Sequence, residues 1–133
     1  MNNFYNTYKN AIDQFIDQAL EEDIQGGDHS SNACFNDILE REALLMVKGN
    51  CVIAGLTLAE KIFNRYDPSL EIKPLVKDGD KMELGTVAFH IKGNAKSILA
   101  TERLVLNCMQ RMSGIATLSN RLSQKILHTK CKI

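Results

Sequence analysis

The chain has 133 residues, of which 44% are hydrophobic and 24% charged. That length suits one domain around one core, and that composition excludes a disordered chain. The 16 Lys plus Arg balance the 16 Asp plus Glu, so net charge gives no reason to propose nucleic acid or an anionic membrane surface as a partner.

The N-terminus, "MNNFYNTYKN", is polar and carries no secretory signal. No apolar run reaches the roughly 20 residues that cross a bilayer. Cys34, Cys51, Cys108 and Cys131 form no C-x-x-C pair, which argues against a zinc or dithiol site. The expectation is a cytoplasmic protein with reduced cysteines.

Phe4, Tyr8, Ala11, Ile12, Phe15, Ile16, Ala19 and Leu20 repeat at helical spacing and predict an amphipathic helix with one buried stripe. "EEDIQGGDHSS" breaks it at Gly26-Gly27 and reads as a connector, with Asp28 placed to cap the next turn. Residues 43–48 have strand character, Gly49-Asn50 is a turn dipeptide, and residues 51–54 make a second short strand. After Gly55, a helical face of Leu58, Ala59, Ile62, Phe63 and Tyr66 runs up to Pro68. "LEIKPLV" alternates like a strand, and its Pro74 marks an edge or a bulge.

Asp78-Gly79 reads as a hairpin-type turn, Gly85 as a further turn or a bulge, and residues 86–91 as a β-branched and aromatic strand closed by Gly93-Asn94. From Ala95 the pattern is helical to about Leu127, with a break expected at Ser113-Gly114. "TKCKI" has strand character. Segregated strands and helices predict an α+β fold, an open, mostly antiparallel sheet with packed helices.

No G-x-S-x-G elbow, P-loop, H-E-x-x-H or G-x-G-x-x-G occurs. His29, His90 and His128 read as structural or solvated, and the carboxylates of "KDGDK" read as parts of a turn. The long C-terminal helix is more informative. In "TERLVLNCMQRMSGIAT", Arg103, Asn107, Gln110 and Gly114 recur at steps of four, three and four, a narrow polar stripe on an otherwise apolar helix. A guanidinium keeps its charge at any accessible pH, and its fork of donors matches a carboxylate or phosphate. Three readings of Arg103 stand on this pattern. It forms a core ion pair with Glu102 or an acid on another element, it lays its stem on apolar surface with its head in water, or it binds an anionic ligand.

The same stretch resembles the E-R-x-x-L-N-x-x-x-x-x-S-G-I-A-T signature of quinolinate phosphoribosyltransferase, also called nicotinate-nucleotide pyrophosphorylase (carboxylating). "EEDIQGGDHSS" resembles that family's E-D-x-G-x-G-D-x-T-T loop, with serines for both threonines. "CVIAGLTLAEKIF" resembles its G-V-x-A-G-x-x-x-A-x-x-x-F segment, with Cys51 where glycine is usual, and "VKDGDKMELG" resembles its D-G-D-x-V-x-x-G turn. The resemblance covers nearly the whole chain, with its four motifs in order.

The resemblance implies an α/β-hammerhead-like N-terminal domain over residues 1–112 and, over residues 113–133, the start of a truncated α/β barrel. "HTKCKI" resembles the run before the family's T-R-K-T-x-P-G-x-R strand, so Thr129 and Lys130 are not carried over as site residues. The implied reaction joins quinolinate to phosphoribosyl pyrophosphate and yields nicotinate mononucleotide, pyrophosphate and CO2 in NAD biosynthesis. Arg103 is implied as the substrate-binding residue, reaching a quinolinate carboxylate in the neighbouring subunit of a homodimer or higher homo-oligomer. No catalytic or metal residue is implied within this fragment. Mg2+ is expected for the intact enzyme only, and the fragment alone is expected to be inactive. Nucleic acid and membrane are not expected partners.

"VKDGDKMELGTVAFHIKG" resembles the turn of biotinyl and lipoyl carrier modules, without their lysine-bearing tip. A related enzyme such as nicotinate phosphoribosyltransferase shares a similar N-terminal domain. Finally, Ile115, Leu118, Leu122 and Ile126 predict an apolar helix face that self-associates unless a partner covers it.

Overall fold

The computed structural model describes residues 2–25 and 39–132. Helices α1 (Asn2–Thr7) and α2 (Lys9–Gln25) open the chain and are nearly continuous across Tyr8, whose N–H donates to the Phe4 carbonyl. Only Ile16 and Leu20 of the expected stripe are buried. Phe4, Tyr8 and Phe15 are exposed, because among the residues of these helices only Ile12, Ile16, Leu20 and Ile24 pack on the core. The loop residues Gly26, Gly27, Asp28 and His29, and Cys34 with them, lie outside the described residues.

The strands are β1 (Glu40–Met46), β2 (Cys51–Val52), β3 (Glu71–Pro74), β4 (Lys81–Met82) and β5 (Val87–Asn94). They form a three-stranded sheet in the order β1-β5-β3 and a two-stranded sheet of β2 and β4, with every pair antiparallel. β5 is central. Phe89, Ile91 and Gly93 are buried while His90 and Lys92 face solvent, the alternation of a sheet covered on one side. Pro74 sits on the edge strand β3, where its missing N–H costs least.

The two turn dipeptides do not close hairpins. β1 does not pair with β2, nor β3 with β4. Residues 40–52 instead run antiparallel to residues 81–94 as one interrupted ribbon. The register shifts between Leu45 and Met46, and the Val47 N–H to Thr86 carbonyl bond (2.9 Å) and the Gly85 N–H to Val47 carbonyl bond (2.8 Å) bridge the gap.

Helix α3 (Leu56–Tyr66) buries Leu56, Ala59, Ile62 and Phe63, leaves Leu58 half-buried and exposes Tyr66. It ends at Asp67, ahead of Pro68, as the sequence predicts. Ile62 is fully buried, and a side chain of that size contributes about 1.5–3 kcal/mol on leaving water.

Helix α4 (Ala95–Ile126) follows β5 directly, and Asn94 caps it by accepting from the Lys96 N–H at 2.9 Å. Ala95, Ile98, Thr101, Val105, Met109 and Ser113 form its buried stripe against α3 and the sheets. The expected break at Ser113-Gly114 is absent, since α4 runs through both residues and through the 112/113 boundary. One exposed helical glycine costs about 1 kcal/mol and does not end a helix by itself. The strand expected in "TKCKI" is absent too over its described residues, 129–132. The Thr129 N–H and hydroxyl both donate to the Ile126 carbonyl, so the chain turns back on the end of α4 instead of pairing with an edge.

Candidate functional site

The polar stripe on α4 faces outward. Arg103, Asn107, Gln110 and Gly114 are all exposed, which follows from their offset from the buried stripe. The Arg103 side chain is 80% exposed, and its Nε lies 3.6 Å from Oδ1 of Asp23, in the last turn of α2. The core ion-pair reading therefore fails, and Glu102 is not the partner. A charge in water has no desolvation cost to recover, so the pair with Asp23 is loose. The side chains of Asn107 and Gln110 make no hydrogen bond among the described residues. The result is a permanently charged fork of donors on a rigid helix, aimed away from the core.

The opposite side of the same segment is tied down. The Ser113 hydroxyl accepts from the Ala54 N–H (3.0 Å) and donates to the Ala54 carbonyl (3.2 Å). The Thr117 hydroxyl accepts from the Val52 N–H (2.9 Å) and donates to the Ser113 carbonyl (2.6 Å). Two hydroxyls thus complete the backbone bonding of β2 and the residues after it. The sequence signal was present: serine and threonine four apart on the stripe that carries Val105 and Met109 have to find partners once buried. Gly55 lets the helix come close. A Cβ there would sit 3.1 Å from the Met112 sulfur and 3.4 Å from the Met109 Cα, and φ is 101°.

Asp78 belongs to the fold. Its carboxylate accepts from the N–H groups of Leu56 (2.8 Å) and Thr57 (3.3 Å) and from the Thr57 hydroxyl (3.2 Å). Gly55, at the N-cap of α3, has no side chain for this, so Asp78, 22 positions beyond Leu56, supplies the cap. The Asp78 charge has a local consequence. Burial first, and Asp78 second, push the Glu60 carboxyl and the Tyr5 phenol above their ordinary ranges. Asp80 accepts from the Lys77 N–H within the same turn, so both carboxylates of "KDGDK" serve the turn and the helix it caps.

His90 is exposed on the solvent face of β5, opposite Leu44 and Lys73, and His128 is exposed just past α4. Among the described residues no three His, Cys, Asp or Glu side chains converge to hold a metal ion. Among the same residues no helix is long and apolar enough to cross a membrane. Cys51, Cys108 and Cys131 are free, and burial pushes the Cys108 thiol up. Two apolar grooves of about 570 and 680 Å³ flank β1 where it faces α4, and Arg103 lines neither.

Comparison with known proteins agrees with this geometry. Residues 28–113 match the family described as quinolinate phosphoribosyl transferase, N-terminal domain. The chain is 43% identical over 109 residues to quinolinate phosphoribosyltransferase [decarboxylating] 1 of Nicotiana glauca, covering 81% of this chain and 31% of that protein. It is 41% identical over 109 residues to the chloroplastic nicotinate-nucleotide pyrophosphorylase [carboxylating] of Arabidopsis thaliana, again covering 81% and 31%. Among solved structures, the nicotinate-nucleotide pyrophosphorylase of Francisella tularensis superposes with a TM-score of 0.84 at 30% identity, over 91% of this chain and 42% of that one. The chain thus spans about a third of the length of these curated relatives.

Proposed function

This chain belongs to the quinolinate phosphoribosyltransferase N-terminal domain family, and from that premise we propose that it is the N-terminal part of an enzyme of NAD biosynthesis. The enzyme transfers a phosphoribosyl group from phosphoribosyl pyrophosphate to the ring nitrogen of quinolinate, releases pyrophosphate, and loses CO2 to give nicotinate mononucleotide. Residues 1–112 form its N-terminal domain, and residues 113–133 lead into an α/β barrel that carries the phosphate contacts. It works as a homodimer or higher homo-oligomer in the cytoplasm. The exposure of Ile115, Leu118 and Leu122 on α4 supports a covering partner surface. The family resemblance implies Mg2+ for the whole enzyme, outside this fragment.

Within this reading, Arg103 contacts a carboxylate of quinolinate in the active site of the neighbouring subunit. One observation carries the assignment: the guanidinium on the family's signature helix is 80% exposed and directed away from its own core. Quinolinate is a dianion, and a fixed guanidinium binds one of its carboxylates through paired, charge-assisted hydrogen bonds. Steady-state kinetics of Arg103→Ala in the intact enzyme tests this. A charge-assisted hydrogen bond is worth about 1.5–3 kcal/mol, so the quinolinate KM should rise roughly 10- to 150-fold. An unchanged KM overturns the role. The 133-residue chain alone should form no nicotinate mononucleotide.

A further inference from the structure

Asp23 is the only acid paired with Arg103 among the described residues, and its position in the fold is well fixed. It follows Leu20 by three residues on α2, and Leu20 and Ile16 anchor that helix in the core. Its side chain is 23% exposed, against 80% for Arg103. The carboxylate is therefore the stationary member of the pair and the guanidinium the adjustable one. The last turn of α2 contains no basic residue, so a carboxylate there meets the negative end of its own helix. Arg103, arriving from α4, supplies the compensating cation.

The geometry of the approach matters. The nearest contact is through Nε, the inner nitrogen of the guanidinium, at 3.6 Å, longer than a hydrogen bond. Nε is the guanidinium nitrogen nearest the carboxylate, so the outer edge, with its two terminal nitrogens, lies farther from Asp23. That outer edge is the part of an arginine that meets an incoming carboxylate in a paired fashion. A long exposed side chain without such a guide samples many rotamers, and each ligand-binding event has to order them.

We propose that Asp23 is a positioning residue for Arg103. It holds the guanidinium from the Nε side and presents the terminal fork to a pyridine dicarboxylate across the subunit interface. The inference rests on the assignment of Arg103 given above. A binding contact held by a neighbouring side chain is more effective than an unsupported one.

A double-mutant cycle in the intact enzyme tests the proposal, with quinolinate as the varied substrate. Exposed ion pairs are weak, so Asp23→Asn should raise the quinolinate KM by roughly two- to five-fold, with kcat unchanged. In the Arg103→Ala background the same substitution should have no further effect. A lowered KM overturns the proposal, because it means that Asp23 competes with the ligand. An unchanged KM, or an effect that persists without Arg103, also overturns it. If Asp23→Asn is silent while Arg103→Ala raises KM, only the positioning role falls. If Arg103→Ala is itself silent, the assignment of Arg103 falls and this inference with it.

Discussion

Helix α4 carries two stripes in opposite surroundings. The inner one, through Ile98, Thr101, Val105, Met109 and Ser113, is buried, and its polar atoms have partners in this chain. Thr101 donates to the Ser97 carbonyl at 2.7 Å, and Ser113 exchanges two hydrogen bonds with Ala54. The outer one, through Arg103, Asn107, Gln110 and Gly114, is exposed, and its one polar contact among the described residues is the loose approach to Asp23. Both stripes contain polar residues, but only the inner ones are explained by the folded chain. Polarity that the fold does not use faces either water or another surface, and Arg103 has the chemistry for the second.

The largest expected effect of substitution lies on the inner stripe. Met109 is 3% exposed and backs onto Gly55. Met109→Ala should destabilise the chain by about 2–5 kcal/mol, read as a fall in the midpoint of denaturant unfolding. On the outer stripe, Arg103→Ala should stay within about 0.5 kcal/mol of the parent, as exposed substitutions do. A comparable loss from both variants would erase the distinction between the two faces.

The hydroxyl clamp is the next step down. Ser113→Ala leaves the Ala54 N–H without its acceptor, and Thr117→Val does the same to Val52. Each should cost about 1–3 kcal/mol, the range for orphaning a backbone donor away from water. Thr117→Ser keeps the hydroxyl and should recover most of the loss. If Ser113→Ala and Thr117→Val are both neutral by thermal unfolding, water reaches these N–H groups and the inner face is wetter than its burial suggests.

Much of the fold was legible because periodicity reports burial directly. The long helix, α3 with its stop before Pro68, and the edge placement of Pro74 all follow from local pattern. The misread features depended on distant residues. Asp78-Gly79 has hairpin composition, but its carboxylate is drawn to the N-terminus of α3, whose own cap position is a glycine. Ser113-Gly114 has breaker composition, but the Ser113 hydroxyl is engaged by Ala54, 59 residues earlier. The aromatic stripe of α1 and α2 has core composition, yet α2 contacts the core only from Ile12 onward. For the site, spacing placed Arg103 at the head of a stripe, but spacing alone does not tell which side of a helix is inside. Asp23 was invisible as its partner, since nothing local links residue 23 to residue 103.

The smallest effect has the opposite sign. Gly114 lies inside α4, its backbone has no positive φ, and a Cβ at that position would meet nothing within 4 Å. In this chain the glycine therefore costs backbone entropy without any steric return. Gly114→Ala should raise stability by roughly 0.5–1 kcal/mol and lift the melting temperature by a few degrees. A loss of stability would place Gly114 in an internal contact and break the contrast between the stripes. A gain in the isolated chain, paired with a raised quinolinate KM in the intact enzyme, would sharpen it. The space left by the missing side chain would then be filled by something outside this chain, on the same face and four turns or fewer from Arg103, since eleven residues of helix rise only about 16 Å. Those two measurements together separate a glycine that is merely tolerated from one that the assembled enzyme requires.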